Sequence, residues 1–341
     1  MRYIIYGAGA VGGVIGSALH AIGKEVLLIT RGAHLEAIKS KGLTLETLHG
    51  SETFSIPAVG SVHEARIDEC DCVVLTMKSQ DTEEALRDLV GSASRNIRIY
   101  CAQNGVENER LALRRFRSVH AILTLLPATL IEPGVIQHIA EPKKGVLDVG
   151  RYPAGADNDA YAFSTDLSKA GFSSRCMDDI MPWKYGKLVQ NAFTAVGAMC
   201  KPGRACQALS NAIAAEAEEC LRRAGVSWIS QPELSKRRTS AFTVSSTIGT
   251  HALGRSSLWQ SLDRKAGTVE TAYYNGEIAL IGRLSGAECF LNTAVMEVSD
   301  KMARDGARPG SLDPEIVFAC AEALRAEAAD RSSVHEALTT K

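Results

Sequence analysis

Three glycines near the N-terminus restrict the fold of this chain more than any other feature. Gly7, Gly9 and Gly12 form the pattern G-A-G-A-V-G after the apolar run RYIIY, and they open the stretch AVGGVIGSALHAIG, whose apolar spacing is helical. Between a strand and a helix, this pattern is typical of dinucleotide binding. Gly7 would permit the tight turn, Gly9 the approach of the backbone to a pyrophosphate, and Gly12 close packing of helix and strand.

The first turn of that helix would supply the anion-binding groups. Ala10 and Val11 lie between Gly9 and Gly12, where backbone N–H groups have no partner inside the helix and point at a bound phosphate. We therefore expect a cofactor-binding set made of Gly7 and the run from Gly9 to Gly12.

The end of the second predicted strand indicates which dinucleotide is bound. NAD-binding proteins usually have an acidic residue there, which holds the ribose 2′-hydroxyl. This chain has Leu28, Ile29 and Thr30 followed by Arg31, whose guanidinium suits a 2′-phosphate by charge and geometry. The sequence thus favours NADP, with an Arg that merely starts a surface loop as the alternative. The fold alone could also bind FAD or serve a methyltransferase, and the cation argues against both.

The order of predicted elements defines two domains. A chain of 341 residues is long enough for about two domains. Short apolar runs alternate with amphipathic stretches in the first half, which predicts an α/β Rossmann domain with a parallel, doubly wound sheet. Long helical runs follow, and we expect an all-α C-terminal domain. The predicted limits are 1–180 for the NADP-binding domain, 181–330 for a helical substrate-binding domain, and 331–341 for a polar tail.

Charge and cysteine content narrow the functional classes. The 38 basic and 39 acidic residues give a net charge of −1, so there is no basic excess to bind nucleic acid. The nine cysteines are scattered without a CxxC pair, which argues against a disulfide framework and a zinc site. No run approaches the roughly 18 apolar residues that a membrane-spanning helix needs. We expect a cytoplasmic protein with no metal and no membrane partner.

A lysine in the second half is the first candidate for proton transfer. Lys187 and Asn191 in the segment MPWKYGKLVQNAF are four residues apart, so they share one face of a helix whose first turn suits Pro182. A lysine can protonate the oxygen that becomes negative during reduction of a ketone. The residues alone leave open the other interpretation, a surface lysine packed along Trp183.

Other polar residues occupy places where ligands bind in such folds. Lys78 follows one buried strand and Asn104 the next, and ligands of doubly wound sheets bind at those carboxyl ends. Each residue could equally be an ordinary loop or turn residue. Glu270 is expected on a helix with two tyrosines, where it could also be an ordinary helix carboxylate.

Taken together, these segments resemble the ketopantoate reductase (2-dehydropantoate 2-reductase) family. The resemblance rests on Arg31 and on seven short segments. In chain order the matches are GAGAVG, Arg31, TMKSQ, QNGVEN, EPGVIQH, WKYGKLVQN, SSLWQSL and VETAYYNGEI. It covers almost the whole chain. It implies a Rossmann domain followed by a helical domain, and the NADPH-dependent reduction of 2-dehydropantoate to (R)-pantoate in the synthesis of pantothenate and coenzyme A.

The resemblance also implies roles for individual residues. Lys187 matches the general acid of the family, and Glu270 matches the carboxylate beside that acid and the substrate. Lys78 and Asn104 match residues near the nicotinamide, and Asn104 would also contact the substrate. Asn191 and Ser257 match substrate-binding residues, with Ser256 as the alternative to Ser257.

Some positions depart from the family pattern. Ala195 and Val196 stand where a second Asn followed by Pro is common, and Gln260-Ser261 stands where Gln-Asp is common. We expect these changes to affect the substrate pocket more than the cofactor site. They leave the reaction type intact and the identity of the 2-keto acid open.

Competing functions stay open at this point. A related 2-keto acid reductase is one, and a β-hydroxyacid dehydrogenase is another, because those enzymes also use a Lys with an Asn four residues later. The non-enzymatic alternative is an NADP-binding sensor, which should have lost Lys187, Asn191 or Glu270. The partner expected is a small 2-keto acid, and the sequence is compatible with a homodimer or a monomer.

Overall fold

The computed structural model describes residues 1–244 and 256–339, together with two short strands between them. The chain forms two compact units, residues 1–187 with 229–254, and residues 188–228 with 255–341. In this division the first turns of the helix that carries Lys187 and the segment 229–254 go with the α/β unit. The sequence boundary at residue 180 assigned both to the helical part.

The strands lie in the first unit. In chain order they are β1 Arg2–Tyr6, β2 Glu25–Ile29, β3 Leu43–Thr47, β4 Gly50–Phe54, β5 Ala58–Val59, β6 Cys72–Leu75, β7 Arg98–Cys101, β8 Ser118–Leu125, β9 Ala128–Glu132, β10 Val135–His138, β11 Ala140–Pro142, β12 Val146–Arg151, β13 Phe242–Val244, β14 Thr247–Ile248 and β15 His251–Ala252.

The helices occur in both units. They are α1 Ala10–Ala21, α2 Gly32–Lys41, α3 Val62–Ala65, α4 Thr82–Ser92, α5 Glu107–Leu113, α6 Asn158–Lys169, α7 Met181–Met199, α8 Arg204–Arg223, α9 Gln231–Thr239, α10 Ser257–Asp263, α11 Asn275–Ser285, α12 Phe290–Arg304 and α13 Pro314–Thr339. Helix α13 thus includes most of the tail expected at 331–341, and Thr340 and Lys341 lie outside the described residues. No described helix is both long and apolar enough to cross a bilayer.

A seven-stranded sheet organises the first unit in the order β12-β8-β7-β6-β1-β2-β5. All neighbours are parallel except β12, which pairs antiparallel with β8. Tyr6 is opposite both Ile29 and Leu75, and Leu75 is opposite Cys101, so four strands end at one edge. This edge brings the loops after β1, β2, β6 and β7 together. The parallel-dominated α/β sheet followed by helices confirms the predicted fold class.

The sheet is buried on both faces. Tyr3 and Ile5 of β1 pack in one hydrophobic core, and Ile4 between them packs in the other. Alternate residues of a strand point to opposite faces, so helices must cover both sides of the sheet. A second sheet, in the order β4-β3-β10-β9, contacts α1 through β9 and β10.

The second unit is a helical assembly around its own core. Helix α7 contributes Ala192, Ala195 and Val196, and they pack with Ile213 of α8 and Val295 of α12. Ala195 and Val196 are each only 1% exposed. The two departures from the family pattern that were expected to affect the substrate pocket therefore lie in this core.

A buried ion pair joins the segment after residue 228 to the main sheet. Arg237 of α9 donates from Nε to Oδ2 of Asp148 in β12 at 2.8 Å and from Nη2 to Oδ1 at 2.6 Å. Arg237 Nη1 also donates to Ser173 Oγ. The two charged side chains are 2% and 0% exposed. Each charge is therefore stabilised mainly by the other rather than by water.

We expect Arg237→Ala to lower the free energy of unfolding by about 3–5 kcal/mol, because Asp148 would remain buried without its partner. Urea denaturation followed by circular dichroism measures this loss. The control is Arg222→Ala, which removes a guanidinium paired with Glu219 at the surface. If both variants unfold at the urea concentration of the parent protein, the buried pair does not anchor α9.

Candidate cofactor and active site

The glycine turn has the geometry that its sequence predicts. Gly7 has a φ of +100°, and a Cβ at this position would lie 2.5 Å from the backbone nitrogen of Met77. Its N–H group donates to the carbonyl of Ile29 at 3.0 Å. Gly12 is equally constrained, since a Cβ there would lie 2.4 Å from Thr76 Oγ1. These two glycines allow β1, β6 and α1 to approach closely.

Gly9 has a different role, because no neighbouring atom lies within 4 Å of the place that its Cβ would occupy. Its φ of −72° is accessible to any residue. The fold itself thus does not require glycine here, whereas the approach of a pyrophosphate to the backbone does. Ala10 and Val11 follow as the first residues of α1, where the N–H groups of a helix N-terminus favour an anion. The turn therefore fits a dinucleotide.

A cavity of about 320 Å³ opens beside this turn. Gly7 and Gly9 form one part of its lining, and Thr30, Arg31 and Lys78 form another. The structure thus brings together the residues predicted after β1, β2 and β6. Arg31 is the N-cap residue of α2 and is exposed, so its guanidinium can reach a ligand.

Asn104 follows β7, the next strand of the sheet, in a turn that hydrogen bonds from neighbouring side chains hold in place. Its carbonyl accepts hydrogen bonds from Ser79 Oγ at 3.3 Å and from Asn108 Nδ2 at 2.9 Å. Asn108 and Ser79 also bond to each other. The loops that carry Lys78 and Asn104 are therefore joined by buried polar contacts rather than by packing alone.

A buried ion pair supports the same region from α7. Lys184 Nζ bonds to Oε1 of Glu109 in α5 and donates to the carbonyl of Gln103 at 3.2 Å. The two side chains are 3% and 0% exposed. Sequence reasoning missed Glu109, because nothing in the local pattern connects it to a lysine 75 residues later. Lys184 is thus part of a structural ion pair, which makes Lys187 the other lysine of this segment to consider for chemistry.

Lys187 lies one turn after Lys184 and is partly buried. Loss of hydration lowers the pKa of its ammonium to about 8, and the positive charge of Arg238 in α9 contributes to the shift. A lysine in this environment exchanges its proton near neutral pH far more readily than a surface lysine. The structure places it in the first unit, on the helix that was predicted for it.

In the second unit, Asn191 lies one turn after Lys187 on α7. Its Nδ2 atom is buried and has no acceptor among the described residues. A buried amide donor without an acceptor is costly, so a ligand oxygen is a suitable partner. The sequence placed this residue correctly on the helix, and the structure adds the unsatisfied donor.

The two serines at the start of α10 are separated by their contacts. Ser256 is the N-cap residue, and its Oγ accepts the N–H of Trp259 at 3.3 Å. Ser257 is the first helical residue and is exposed. The hydroxyl of Ser256 is therefore engaged in capping, which favours Ser257 as the residue that meets a ligand.

Glu270 is not on an α-helix, so that expectation was wrong. It is half-buried and precedes a single 3-10 turn, Thr271–Tyr273, before α11 begins at Asn275. The two tyrosines belong to this turn and its end rather than to a helix that includes Glu270. The apolar spacing of the segment predicted a continuous helix, whereas the hydrogen bond from Tyr273 N–H to the Glu270 carbonyl closes a tighter turn.

No group of three or more His, Cys, Asp or Glu side chains that could hold a metal ion occurs within the described part of the chain. The nine cysteines are all free thiols.

The sheet, its glycine turn and the cavity at the carboxyl edge have the architecture of a doubly wound nucleotide-binding fold. Residues 3–154 match the family described as ketopantoate reductase PanE/ApbA, and residues 179–303 match its C-terminal domain. The chain belongs to the ketopantoate reductase family.

Two relatives show the extent of the similarity. A 2-dehydropantoate 2-reductase of Pyrococcus horikoshii is 32% identical over 203 residues, which make up 58% of this chain and 64% of that protein. One of Archaeoglobus fulgidus is 28% identical over 306 residues, or 87% of this chain and 96% of that protein. The match to the first relative thus spans just under two thirds of its length.

Solved structures share the fold. A PanE/ApbA family ketopantoate reductase from Ralstonia eutropha superposes with a TM-score of 0.74 at 24% identity, over 90% of this chain and 99% of that one. A D-mandelate dehydrogenase in complex with NADH and anilino(oxo)acetate gives a TM-score of 0.74 at 23% identity, over 89% and 99% of the two chains.

We expect Gly9→Ala to weaken dinucleotide binding by about tenfold or more, because the added methyl group occupies the space that the pyrophosphate needs. The unfolding midpoint should stay within about 2 °C, since the backbone is unstrained and the site is open. Binding is measured by quenching of protein fluorescence. Gly91→Ala, an exposed change on α4, is the matched control and should leave affinity unchanged; equal affinity in both variants would contradict the assignment of the turn.

Proposed function

We propose that this protein uses NADPH to reduce a small branched 2-keto acid, with 2-dehydropantoate as the first candidate and (R)-pantoate as its product. The observation that carries the proposal is the pairing on α7 of Lys187, whose pKa is lowered to about 8, with Asn191, whose buried Nδ2 lacks an acceptor. Together they offer a proton donor and a hydrogen-bond donor one turn apart, which is what a ketone and its neighbouring oxygen require.

The proposed roles follow from the chemistry of each group. When bound, NADPH supplies a hydride, which forms the new C–H bond at C2 of the substrate. The electron pair of the carbonyl π bond moves to oxygen, and Lys187 transfers its proton to that oxygen. Before transfer, the ammonium of Lys187 would stabilise the negative charge that develops on this oxygen. Such electrostatic stabilisation is strongest where water is excluded. NADP⁺ and the 2-hydroxy acid are the products.

Other residues would bind and orient the ligands. Asn104 is held at the carboxyl edge of the sheet by the buried contacts of Ser79 and Asn108, and we assign it to the nicotinamide end of the cofactor. Lys78 lines the same cavity as Arg31, so we assign it to the adenosine end rather than to the nicotinamide end that the family pattern implied. Gly9 and the start of α1 would bind the pyrophosphate, and Arg31 the 2′-phosphate.

For the substrate, we assign contacts to Asn104, Asn191, Ser257 and Glu270. Glu270 would accept a substrate hydroxyl. These assignments come from the family pattern, and Ser257 has the additional support that its neighbour Ser256 is engaged in capping.

A second substrate class has specific support. The D-mandelate dehydrogenase that shares this fold was solved with NADH and anilino(oxo)acetate. We therefore keep an aromatic 2-keto acid as the alternative substrate for the same reaction. A homodimer and a cytoplasmic location stay predictions.

The deciding experiment measures consumption of NADPH at 340 nm with a panel of substrates. The panel contains 2-dehydropantoate, branched and aromatic 2-keto acids, and a 3-hydroxyisobutyrate-type acid assayed in the oxidative direction. The proposal expects the highest kcat/KM with 2-dehydropantoate. A preference for the aromatic acid would support the alternative substrate, and no turnover with any 2-keto acid would overturn the proposal.

We expect kcat/KM to be constant below about pH 7 and to fall about tenfold per pH unit above about pH 8. The reason is that only protonated Lys187 can donate, and its pKa of about 8 sets the pH at which the proton is lost. Steady-state rates between pH 6 and pH 10 measure the profile, and Lys187→Ala should lose at least about 10²-fold in kcat. Lys39→Ala, a surface change on α2, is the control. A profile that stays flat to pH 10 would contradict the role of Lys187.

A further inference from the structure

The cavity beside the glycine turn carries an unexpected charge distribution for a site that should receive a 2′-phosphate. Arg31 and Lys78 contribute two positive charges to its lining, and Asp81, Glu84 and Asp88 contribute three negative charges. The lining is therefore net negative by one charge. A 2′-phosphate monoester brings close to two further negative charges at neutral pH.

The three carboxylates come from one side of one helix. Asp81 is the N-cap residue of α4, and Glu84 and Asp88 follow at intervals of three and four residues, so they form a single row along the helix. Their fields act together at Tyr6 on β1. Burial raises the pKa of Tyr6 to about 12, with Asp88, Glu84 and Asp81 adding to the rise and Arg31 opposing it.

Asp81 is the member of this row that meets the predicted phosphate ligand. Its Oδ1 lies 3.5 Å from Nη2 of Arg31. The pair is open to solvent, with the two side chains 78% and 41% exposed, so it is weak and can exchange for another partner. A 2′-phosphate would have to compete with Asp81 for the same guanidinium.

Asp81 is not explained by helix capping. Aspartate at an N-cap usually accepts a backbone N–H of the first turn, yet the Asp81 side chain makes no such hydrogen bond. Its carboxylate is instead directed to Arg31 at the end of β2. NAD-binding proteins have a carboxylate at the end of β2, where it holds the ribose 2′-hydroxyl. In this protein the carboxylate in that region comes from the start of α4.

We propose that Asp81 opposes the 2′-phosphate of NADPH and accepts the 2′-hydroxyl of NADH, so that this protein uses both dinucleotides and Asp81 sets their ratio. Glu84 and Asp88 reinforce the effect by charge. The inference rests on the proposed function, since it assumes that the cavity receives the adenosine end of a nicotinamide dinucleotide.

The test measures the dissociation constants of NADPH and NADH separately, by fluorescence titration without substrate. We expect the parent protein to bind both with affinities within about tenfold of each other. Asp81→Asn should tighten NADPH by about threefold to tenfold and should leave NADH unchanged or weaken it by up to about threefold. Because the pair is exposed, the gain for NADPH should shrink as salt rises from about 50 to 500 mM.

Glu83→Gln is the matched control. Glu83 lies on the same helix and pairs with Arg115 and Arg87, so its substitution removes an equal charge without altering the Arg31 contact. It should change the ratio of the two affinities by less than about twofold.

The outcomes separate the two proposals. Binding of NADPH about 10³-fold tighter than NADH, unchanged in Asp81→Asn, would overturn the role of Asp81 and leave the proposed reduction intact. Equal gains in Asp81→Asn and Glu83→Gln would also overturn it, because general charge rather than the Arg31 contact would then be responsible. Failure of the parent protein to bind either dinucleotide would overturn the proposed function together with this inference.

Discussion

The close approach of three backbone segments at the glycine turn is the constraint on which the rest of this structure depends. Gly7 lies against the backbone of Met77, and Gly12 lies against Thr76 and the carbonyl of Gly7. Only because neither residue has a side chain can α1 begin directly above the ends of β1 and β6. Gly7 also lines the cavity and donates its N–H to the carbonyl of Ile29, two residues before Arg31. At Gly9, by contrast, an added Cβ would contact no neighbouring atom, so the fold does not require glycine there.

Two lysines of α7, Lys184 and Lys187, have different surroundings. Lys184 is neutralised by Glu109 and bonds to the backbone of Gln103, so it secures the start of α7 to the loop before Asn104. For Lys187, loss of hydration is the largest influence on the pKa, and the positive charge of Arg238 adds to it. The same helix therefore carries one lysine in a buried ion pair and another whose pKa is lowered by burial and by the charge of Arg238.

Local sequence patterns predicted most of the helices and strands, but they did not predict the contacts between residues distant in sequence. The alternation of apolar runs predicted the α/β architecture, and the four-residue spacing of Lys187 and Asn191 predicted the helix that is α7. The turn at Glu270 was missed, since a 3-10 turn and an α-helix share apolar spacing over a few residues. Cys70 and Cys72 have the spacing of residues on one strand face, yet Cys70 is exposed and precedes β6, whereas Cys72 is buried within it. The contacts of Glu109 and Asp81 join residues distant in sequence, and no local signal records them.

The Asp148–Arg237 pair also bears on how the chain is made. Residue 237 comes after the stretch 188–228, which belongs to the other unit, so the sheet-bearing unit is discontinuous along the chain. During synthesis, the carboxylate of Asp148 emerges long before the guanidinium that neutralises it. The α/β unit therefore cannot reach its final stability until α9 has left the ribosome. A gene fragment cut at the apparent domain boundary would encode a sheet with a buried, uncompensated charge.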